Sequence, residues 1–244
     1  RAAARPPPPP QPPPPRHEHL VSLHFCFREP TATWLVLDLC RGGDLFDEIA
    51  RMRRQRGEGA LPALSEKSSA IVVNQVFAAL AFLHRKDIVH RDVKAENVLM
   101  AEPTSQVPLD RGRAVVKLCD FGLATWCRVG EILTEPCGSP DYAAPEIIRQ
   151  QPYGCKVDIW SAGVLLFCCL RGEMPFSARS DRQGLLLAGA GLCAFDCAWT
   201  RVSPAARACV KCLMDPNSAV RPTANEALGQ PWLREEAAPA WPVR

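Results

Sequence analysis

IVHRDVKAENVLM, residues 88–100, sets Asp92, Lys94 and Asn97 within six positions of one another, between a helical pattern and a strand-like NVLM. Twenty-three residues beyond Asn97, Asp120 follows the apolar run AVVKLC in LCDFGLA, residues 118–124. A carboxylate to accept a proton, an ammonium to neutralise phosphate, and oxygen ligands for a hard cation are what in-line phosphoryl transfer requires. Taken one at a time, the two stretches read as ordinary polar turns. Their combination is what suggests chemistry.

Outward from this stretch, the pattern separates a few strands from a long helical remainder. HLVSLHFCF (19–27) reads as a buried strand and TATWLVLDLC (31–40) as its partner, with Arg28-Glu29-Pro30 turning between them. Gly42-Gly43 breaks the second strand, and DLFDEIARM then places Leu45, Phe46, Ile49 and Met52 at helical spacing. QRGEGALPAL (55–64) reads as a loop. Ser65 is positioned to cap a helix in which Val73, Val76, Phe77, Leu80 and Leu83 recur at steps of three and four. NVLM and AVVKLCD are short strands around a polar loop from Glu102 to Arg113, and from Glu146 onward the pattern is helical, punctuated at Gly172, Pro175, Pro204, Pro216 and Pro222. No internal repeat is present. The expected class is a helix-rich α+β fold.

Composition narrows the function. With 244 residues, 47% of them hydrophobic, the chain can bury a core of one large domain or two smaller ones. A net charge of +3, with no long block of like charge, is too mild to argue for nucleic acid or an anionic membrane, and neither is expected as a partner. Arg51, Arg53, Arg54 and Arg56 read as a solvated helix end, and the apolar run Ile159–Leu170 is too short to cross a bilayer. Twelve scattered cysteines without a secretory leader suggest reduced thiols and a cytoplasmic, intracellular setting, with the nucleus also open. The one CxxC, Cys209 to Cys212, lies in a helical pattern and reads as packing.

HRDVKAEN (90–97), DFG (120–122), GSPDYAAPE (138–146), DIWSAGVLLF (158–167), DPNSAVRPTANEAL (215–228) and PWL (231–233) occur in that order. Together they resemble the signature set of the eukaryotic protein kinases. The resemblance runs from about His17 to Leu233. Lys94 and Ser139 follow the serine/threonine pattern, and GSPDYAAPEII with YGCKVDIWSAGVLLF looks most like the calcium/calmodulin-dependent and AMP-activated kinase group. It implies an α+β, protein-kinase-like fold in which residues 17–233 form a partial kinase domain: the last strands of the small lobe, the hinge and the complete helical large lobe. A proline-rich tract (1–16) would precede this domain and a short tail (234–244) follow it.

The resemblance also implies roles. Asp92 would orient the substrate hydroxyl and accept its proton, Lys94 would steady the transferred phosphoryl group, and Ser139 would complete the catalytic set. Asn97 and Asp120 would hold Mg2+. Leu37 matches the gatekeeper, the backbones of Asp38 and Cys40 the hinge that pairs with the adenine of ATP, and Leu99 the floor beneath the base. Asp44 lies where the family meets ribose or a basic substrate residue, and with Glu96 hints at protein substrates with arginine upstream of the target Ser or Thr. Phe121 would pack under a regulatory helix, Glu146 would pair with Arg221, Asp158 would bond the backbone around His90-Arg91, and Trp160 would be core. In related kinases a phosphothreonine sits three residues before the glycine of GSP. Here that position is Glu135, with Thr134 before it, so either Glu135 stands in for the phosphate that Arg91 receives or Thr134 is the site in a shifted register.

Upstream of His17 the family's glycine-rich loop, strand lysine and helix glutamate have no counterpart: the first sixteen residues hold no GxGxxG and no lysine. Two expectations compete. One is a fragment of an active serine/threonine kinase, itself turning over little; the chain's opening on Arg points the same way. The other is an impaired pseudokinase or scaffold. PPPPPQPPPP (6–15) favours a polyproline II rod, which can replace neither a strand nor a helix. It reads as a linker, a ligand for proline-binding modules, a low-complexity insertion, or the border of a truncation.

Overall fold

A computed structural model describes residues 16–56, 62–176, 187 and 197–238. The proline tract through residue 15, the middle of the 55–64 loop and the end of the tail lie outside the described residues.

Two helices organise the core. Helix α2 (Glu66–His84) begins where the Ser65 hydroxyl accepts the Ser68 N–H at 3.1 Å, the cap expected from the sequence. Helix α4 (Lys156–Arg171) is buried at every residue from Val157 to Leu170, as a continuous apolar run must be when neighbours surround it. Each fully buried Leu or Val of this kind contributes about 1.5–3 kcal/mol. Helix α4 ends at Gly172, whose φ of +71° closes the helix at little steric cost. Helix α1 (Leu45–Arg56) and the four-residue α3 (Pro145–Ile148) precede α4; α5 (Pro204–Leu213), α6 (Ala224–Leu228) and α7 (Pro231–Glu236) follow it. Helix α2 packs against α4, α6 and α7. Its first residue, Glu66, ties these late elements together: the carboxylate accepts the Ser203 N–H and hydroxyl, each at 2.7 Å, and the Trp232 indole N–H at 3.1 Å.

Among the described residues, three antiparallel two-stranded ladders accompany the helices: β1 (Leu23–Arg28) with β2 (Thr33–Leu37), β3 (Ile88–Val89) with β6 (Thr125–Trp126), and β4 (Val98–Met100) with β5 (Val116–Leu118). The β4–β5 register, Val98 opposite Leu118, carries the strands' flanking loops to one end. Residues 19–21 run beside β5, with the Val21 N–H bonded to the Leu118 carbonyl at 3.0 Å.

Three expectations need correction. Residues 19–27 are not a buried strand: β1 starts at Leu23 and is exposed at all six positions, because among the described residues only β2 pairs with it and nothing covers its faces. The second strand stops at Leu37 rather than Cys40, since Asp38 turns into a side-chain network. Arg51 and Arg53 are not merely solvated. Arg51 forks onto Glu48 with two bonds of 2.7 Å, and Arg53 reaches the Gly172 carbonyl at 2.9 Å and Glu173 at 2.6 Å.

Candidate active site

Asp92 is the centre of the polar cluster. It lies on the loop between β3 and the 3₁₀ turn Ala95–Asn97. Its Oδ1 accepts the Ser139 N–H at 3.1 Å and hydroxyl at 2.8 Å; its Oδ2 faces the Lys94 ammonium at 2.8 Å and accepts the Asn97 amide at 3.0 Å. Lys94 also donates to the Ser139 hydroxyl at 2.9 Å, closing a ring of three side chains. Burial pushes the Asp92 carboxyl up, but the Lys94 and Ser139 bonds outweigh it and leave the group below its ordinary value. The same pair raises Lys94, chiefly through its hydrogen bond to Asp92. Asp92 is therefore an ionised carboxylate, and Lys94 a full cation, at neutral pH.

The two oxygen-ligand candidates meet through the β4–β5 ladder. Asn97 precedes β4, Asp120 lies two residues past β5, and the Cys119 N–H bonds the Asn97 carbonyl at 2.9 Å. Asn97 donates twice to Asp92, to the carbonyl at 2.8 Å and to Oδ2, which leaves its amide oxygen as the free lone-pair donor. Asp120 is exposed, and its Oδ1 accepts the Gly122 N–H at 3.1 Å. Among the described residues no cluster of three His, Cys, Asp or Glu could hold a metal unaided. One carboxylate and one amide oxygen suit Mg2+, which keeps several waters and takes further oxygens from substrate phosphates.

The loop around Asp92 is strained and held from behind. Arg91 and Asp120 are non-glycine residues at φ of 67° and 61°, conformations that cost about 1–3 kcal/mol and persist only when surroundings over-determine them. Asp158, in the first turn of α4, supplies that restraint: it accepts the His90 and Arg91 N–H groups, each at 2.9 Å, and meets the His84 ring at 2.8 Å. Burial raises the Asp158 carboxyl, yet the His84 bond and the backbone donors bring it below the ordinary range. The neutral His90 ring links the same elements. Its Nδ1 accepts the Asp92 N–H at 3.3 Å, so its Nε2 donates to the Cys119 carbonyl at 3.0 Å. Phe121 stacks edge-on against His90 at 5.3 Å.

The activation segment is drawn in by residues the sequence did not single out. The Tyr142 hydroxyl accepts the Ala95 N–H at 3.3 Å, and Tyr153 donates to the Glu135 carbonyl at 2.6 Å while receiving Arg91 at 3.3 Å. Arg91 also donates to the Leu123 carbonyl at 2.6 Å and lies 3.9 Å from the exposed Glu135 carboxylate. Neither tyrosine has a signal in local spacing, since Tyr142 reaches Ala95 across forty-seven residues and Tyr153 reaches Glu135 and Arg91 across eighteen and sixty-two. Gly138 has φ of +97°, and a Cβ there would lie 2.5 Å from the Arg91 carbonyl, so the close approach of segment to loop requires glycine.

The hinge candidates lie on the other side of β4. Leu37 is exposed and Leu99 half-buried. The Asp38 carboxylate accepts the Ser22 N–H at 3.0 Å, meets the His24 ring at 2.8 Å and pairs with Lys117 at 3.1 Å. Burial opposes ionisation, and these bonds overcome it, holding the group well below the usual carboxylate range. Among the described residues the Asp38 carbonyl and Cys40 N–H form no hydrogen bond, leaving one acceptor and one donor available. Asp44 bridges Leu99 in the backbone, and its side chain caps α1 by accepting the Asp47 N–H at 2.9 Å. Glu96 is exposed, and no hydrogen bond or ion pair among the described residues joins it to Asp44. Behind this region, burial pushes the Cys119 thiol up to about 11.

The match to known proteins covers the same ground. The protein kinase domain family matches residues 14–233, and the chain belongs to that family. Calcium-dependent protein kinase 8 of Oryza sativa subsp. japonica is 37% identical over 220 residues, covering 90% of this chain and 38% of the relative. Serine/threonine-protein kinase 33 of Mus musculus is 35% identical over 225 residues, covering 89% of this chain and 43% of the relative. The chain thus spans about two fifths of the length of these relatives. It is a serine/threonine protein kinase by family, with the α+β architecture expected, and the family in general uses ATP and Mg2+.

Proposed function

We propose that the site transfers the γ-phosphoryl group of ATP to serine or threonine hydroxyls of protein substrates. The observation that carries this reading is the ring of Asp92, Lys94 and Ser139, with Asn97 and Asp120 set beside it by the β4–β5 ladder. Asp92, ionised and fixed on three sides, orients the substrate hydroxyl and takes its proton as the oxygen attacks. Lys94 offsets charge on the phosphoryl oxygens, and Ser139 keeps the two charges in register. Asn97 and Asp120 would hold Mg2+, which when bound neutralises charge that builds on the phosphates. The Asp38 carbonyl and Cys40 N–H receive the adenine edge above Leu99, beside Leu37. Asp44 and Glu96 favour substrates with upstream basic residues, in a cytoplasmic setting.

The 244 residues by themselves turn over slowly in this reading. No GxGxxG occurs in them and no lysine precedes Lys67, so phosphate clamping has no counterpart among them. Phosphotransfer from labelled ATP to a Ser/Thr peptide with upstream arginines, with Asp92→Asn and Asp120→Asn as controls, tests both parts. Faint transfer abolished by either substitution supports the reading. Transfer that survives Asp92→Asn refutes the site, and rapid transfer with tight Mg-dependent ATP binding refutes the slow-turnover claim. We also propose that Glu135 places one negative charge where Arg91 can hold the activation segment. If Thr134→Ala abolishes activation by an upstream kinase, the substitute-charge idea fails.

A further inference from the structure

The span that leads from β2 toward α1 is bonded through its backbone at two ends and nowhere between. At its start the Asp38 N–H bonds the Ser22 carbonyl at 3.1 Å; at its far end the Arg41 and Gly42 N–H groups bond the Ala101 and Met100 carbonyls, each at 2.9 Å. Among the described residues neither Leu39 nor Cys40 forms a backbone hydrogen bond. The Asp38 carbonyl and the Cys40 N–H, the acceptor and donor assigned to adenine, therefore sit on a short free span. Their direction depends on how firmly Asp38 is fixed.

Lys117 on β5 contributes that fixing. Its ammonium lies 3.1 Å from the Asp38 Oδ2 and donates to the Leu20 carbonyl at 3.3 Å. The same carboxylate accepts the Ser22 N–H at 3.0 Å and meets the His24 ring at 2.8 Å, so β1, the segment before it and β5 all converge on one side chain. The Lys117 and Asp38 side chains are 18% and 21% exposed, so salt screens this pair less than one on the open surface. Lys117 stands directly opposite Leu99 in the β4–β5 ladder. Both are half-buried while Val98, Met100, Val116 and Leu118 are buried, which places Lys117 and Leu99 on one face of the ladder. One ladder thus carries the floor assigned to the base, the cation that restrains the hinge and, at its end, Asn97 and Asp120.

We propose that Lys117 is a positioning residue for the nucleotide base: by tying Asp38 to the β4–β5 ladder it fixes the hinge donor and acceptor relative to Leu99. This role rests on the ATP reading of the site. Loss of the ammonium leaves Asp38 with the Ser22 N–H and the His24 ring and lets the free span shift, whereas the residues facing the phosphates keep all their partners.

The test compares Mg-ATP with Mg-tripolyphosphate, a phosphate chain without a base, by ligand-observed NMR titration of the full 244-residue chain. The unsubstituted chain should bind ATP more tightly than tripolyphosphate. Lys117→Met should weaken ATP about five- to tenfold, as expected for loss of one coupled pair, and leave tripolyphosphate within about twofold. Lys117→Arg should restore most of the ATP affinity. Asp38→Asn keeps the backbone and an acceptor for Ser22 but removes the charge, so it should reproduce the loss. Combined with Lys117→Met it should add little, because both substitutions break the same contact. Far-UV circular dichroism checks folding, and Asp38→Asn carries the test if Lys117→Met does not fold. Unchanged ATP affinity in the folded variants, or equal weakening of both ligands, overturns the positioning role and leaves the ATP reading standing. Failure of both variants to fold also overturns it, since the pair then serves the fold. A chain with no preference for ATP over tripolyphosphate overturns the base site itself, and the role of Lys117 with it.

Discussion

Glu146 and Arg221 offer the sharpest test of how the large lobe is held together. Arg221 is 1% exposed, and its guanidinium forks onto Glu146 through bonds of 2.8 and 2.6 Å. The remaining donors reach the Lys156 carbonyl at 2.9 Å and the Asp215 carbonyl at 2.7 Å, and the group lies 5.3 Å from the Trp160 ring centroid. Glu146→Gln keeps the shape but removes the charge opposite a buried cation. The cost of breaking such a pair from one side is about 3–5 kcal/mol, against about 5–15 kcal/mol for a whole domain. With a urea dependence of about 2–3 kcal/mol per molar, the unfolding midpoint should fall by about 1–2 M. Arg221→Met should cost as much, because Glu146 is then left unpaired. The double variant Glu146→Met with Arg221→Met should recover part of the loss, since neither buried charge remains. Urea unfolding followed by circular dichroism measures all three. A midpoint shift below about 0.3 M for Glu146→Gln, or single losses that simply add in the double variant, would refute the reasoning.

Gly138→Ala should destabilise by about 1–3 kcal/mol in thermal unfolding, since alanine must either leave φ of +97° or push into the Arg91 carbonyl. Burial lowers the pKa of His90 below the ordinary imidazole range, so the unfolded chain takes the proton more readily. Its contribution is complete above about pH 6.5 and declines as pH falls below that value, and His90→Phe should flatten the stability profile between about pH 7 and 5. Asp92 and Asp158 are lowered from 3.8, so their contribution is present above about pH 4 and disappears on further acidification. Asp158→Asn should reduce this acid dependence and speed amide exchange at His90 and Arg91. Glu135→Ala should change stability by less than about 1 kcal/mol, as expected for an exposed ion pair. Tyr153→Phe should cost more, because it leaves the Glu135 carbonyl and Arg91 short of a partner.

Much of the helical fold follows from local pattern. The Ser65 cap, the step-of-three-and-four spacing through α2 and the unbroken apolar run of α4 act within a few turns, so propensity and burial agree. The ends of β1 and β2 were less legible. A Val-, Leu- and Phe-rich run reads alike whether or not a partner covers it, and the difference lies in chain elsewhere. The cluster at Asp92 was legible as a list, because Asp92, Lys94 and Asn97 share one loop. That Ser139, forty-seven residues later, bonds the same carboxylate is a fact of packing.

Sequence alone determined the chemistry available here: one carboxylate, one ammonium and two oxygen ligands in fixed order, together with two helices too apolar to lie outside a core. Tertiary structure decided how these groups are poised. Asp158 reaches from α4 to hold Arg91 in a strained conformation, Gly138 lets the activation segment touch that loop, and Lys94 with Ser139 keeps Asp92 ionised despite its burial. Such effects depend on distances between residues far apart in the chain, where local spacing carries no signal.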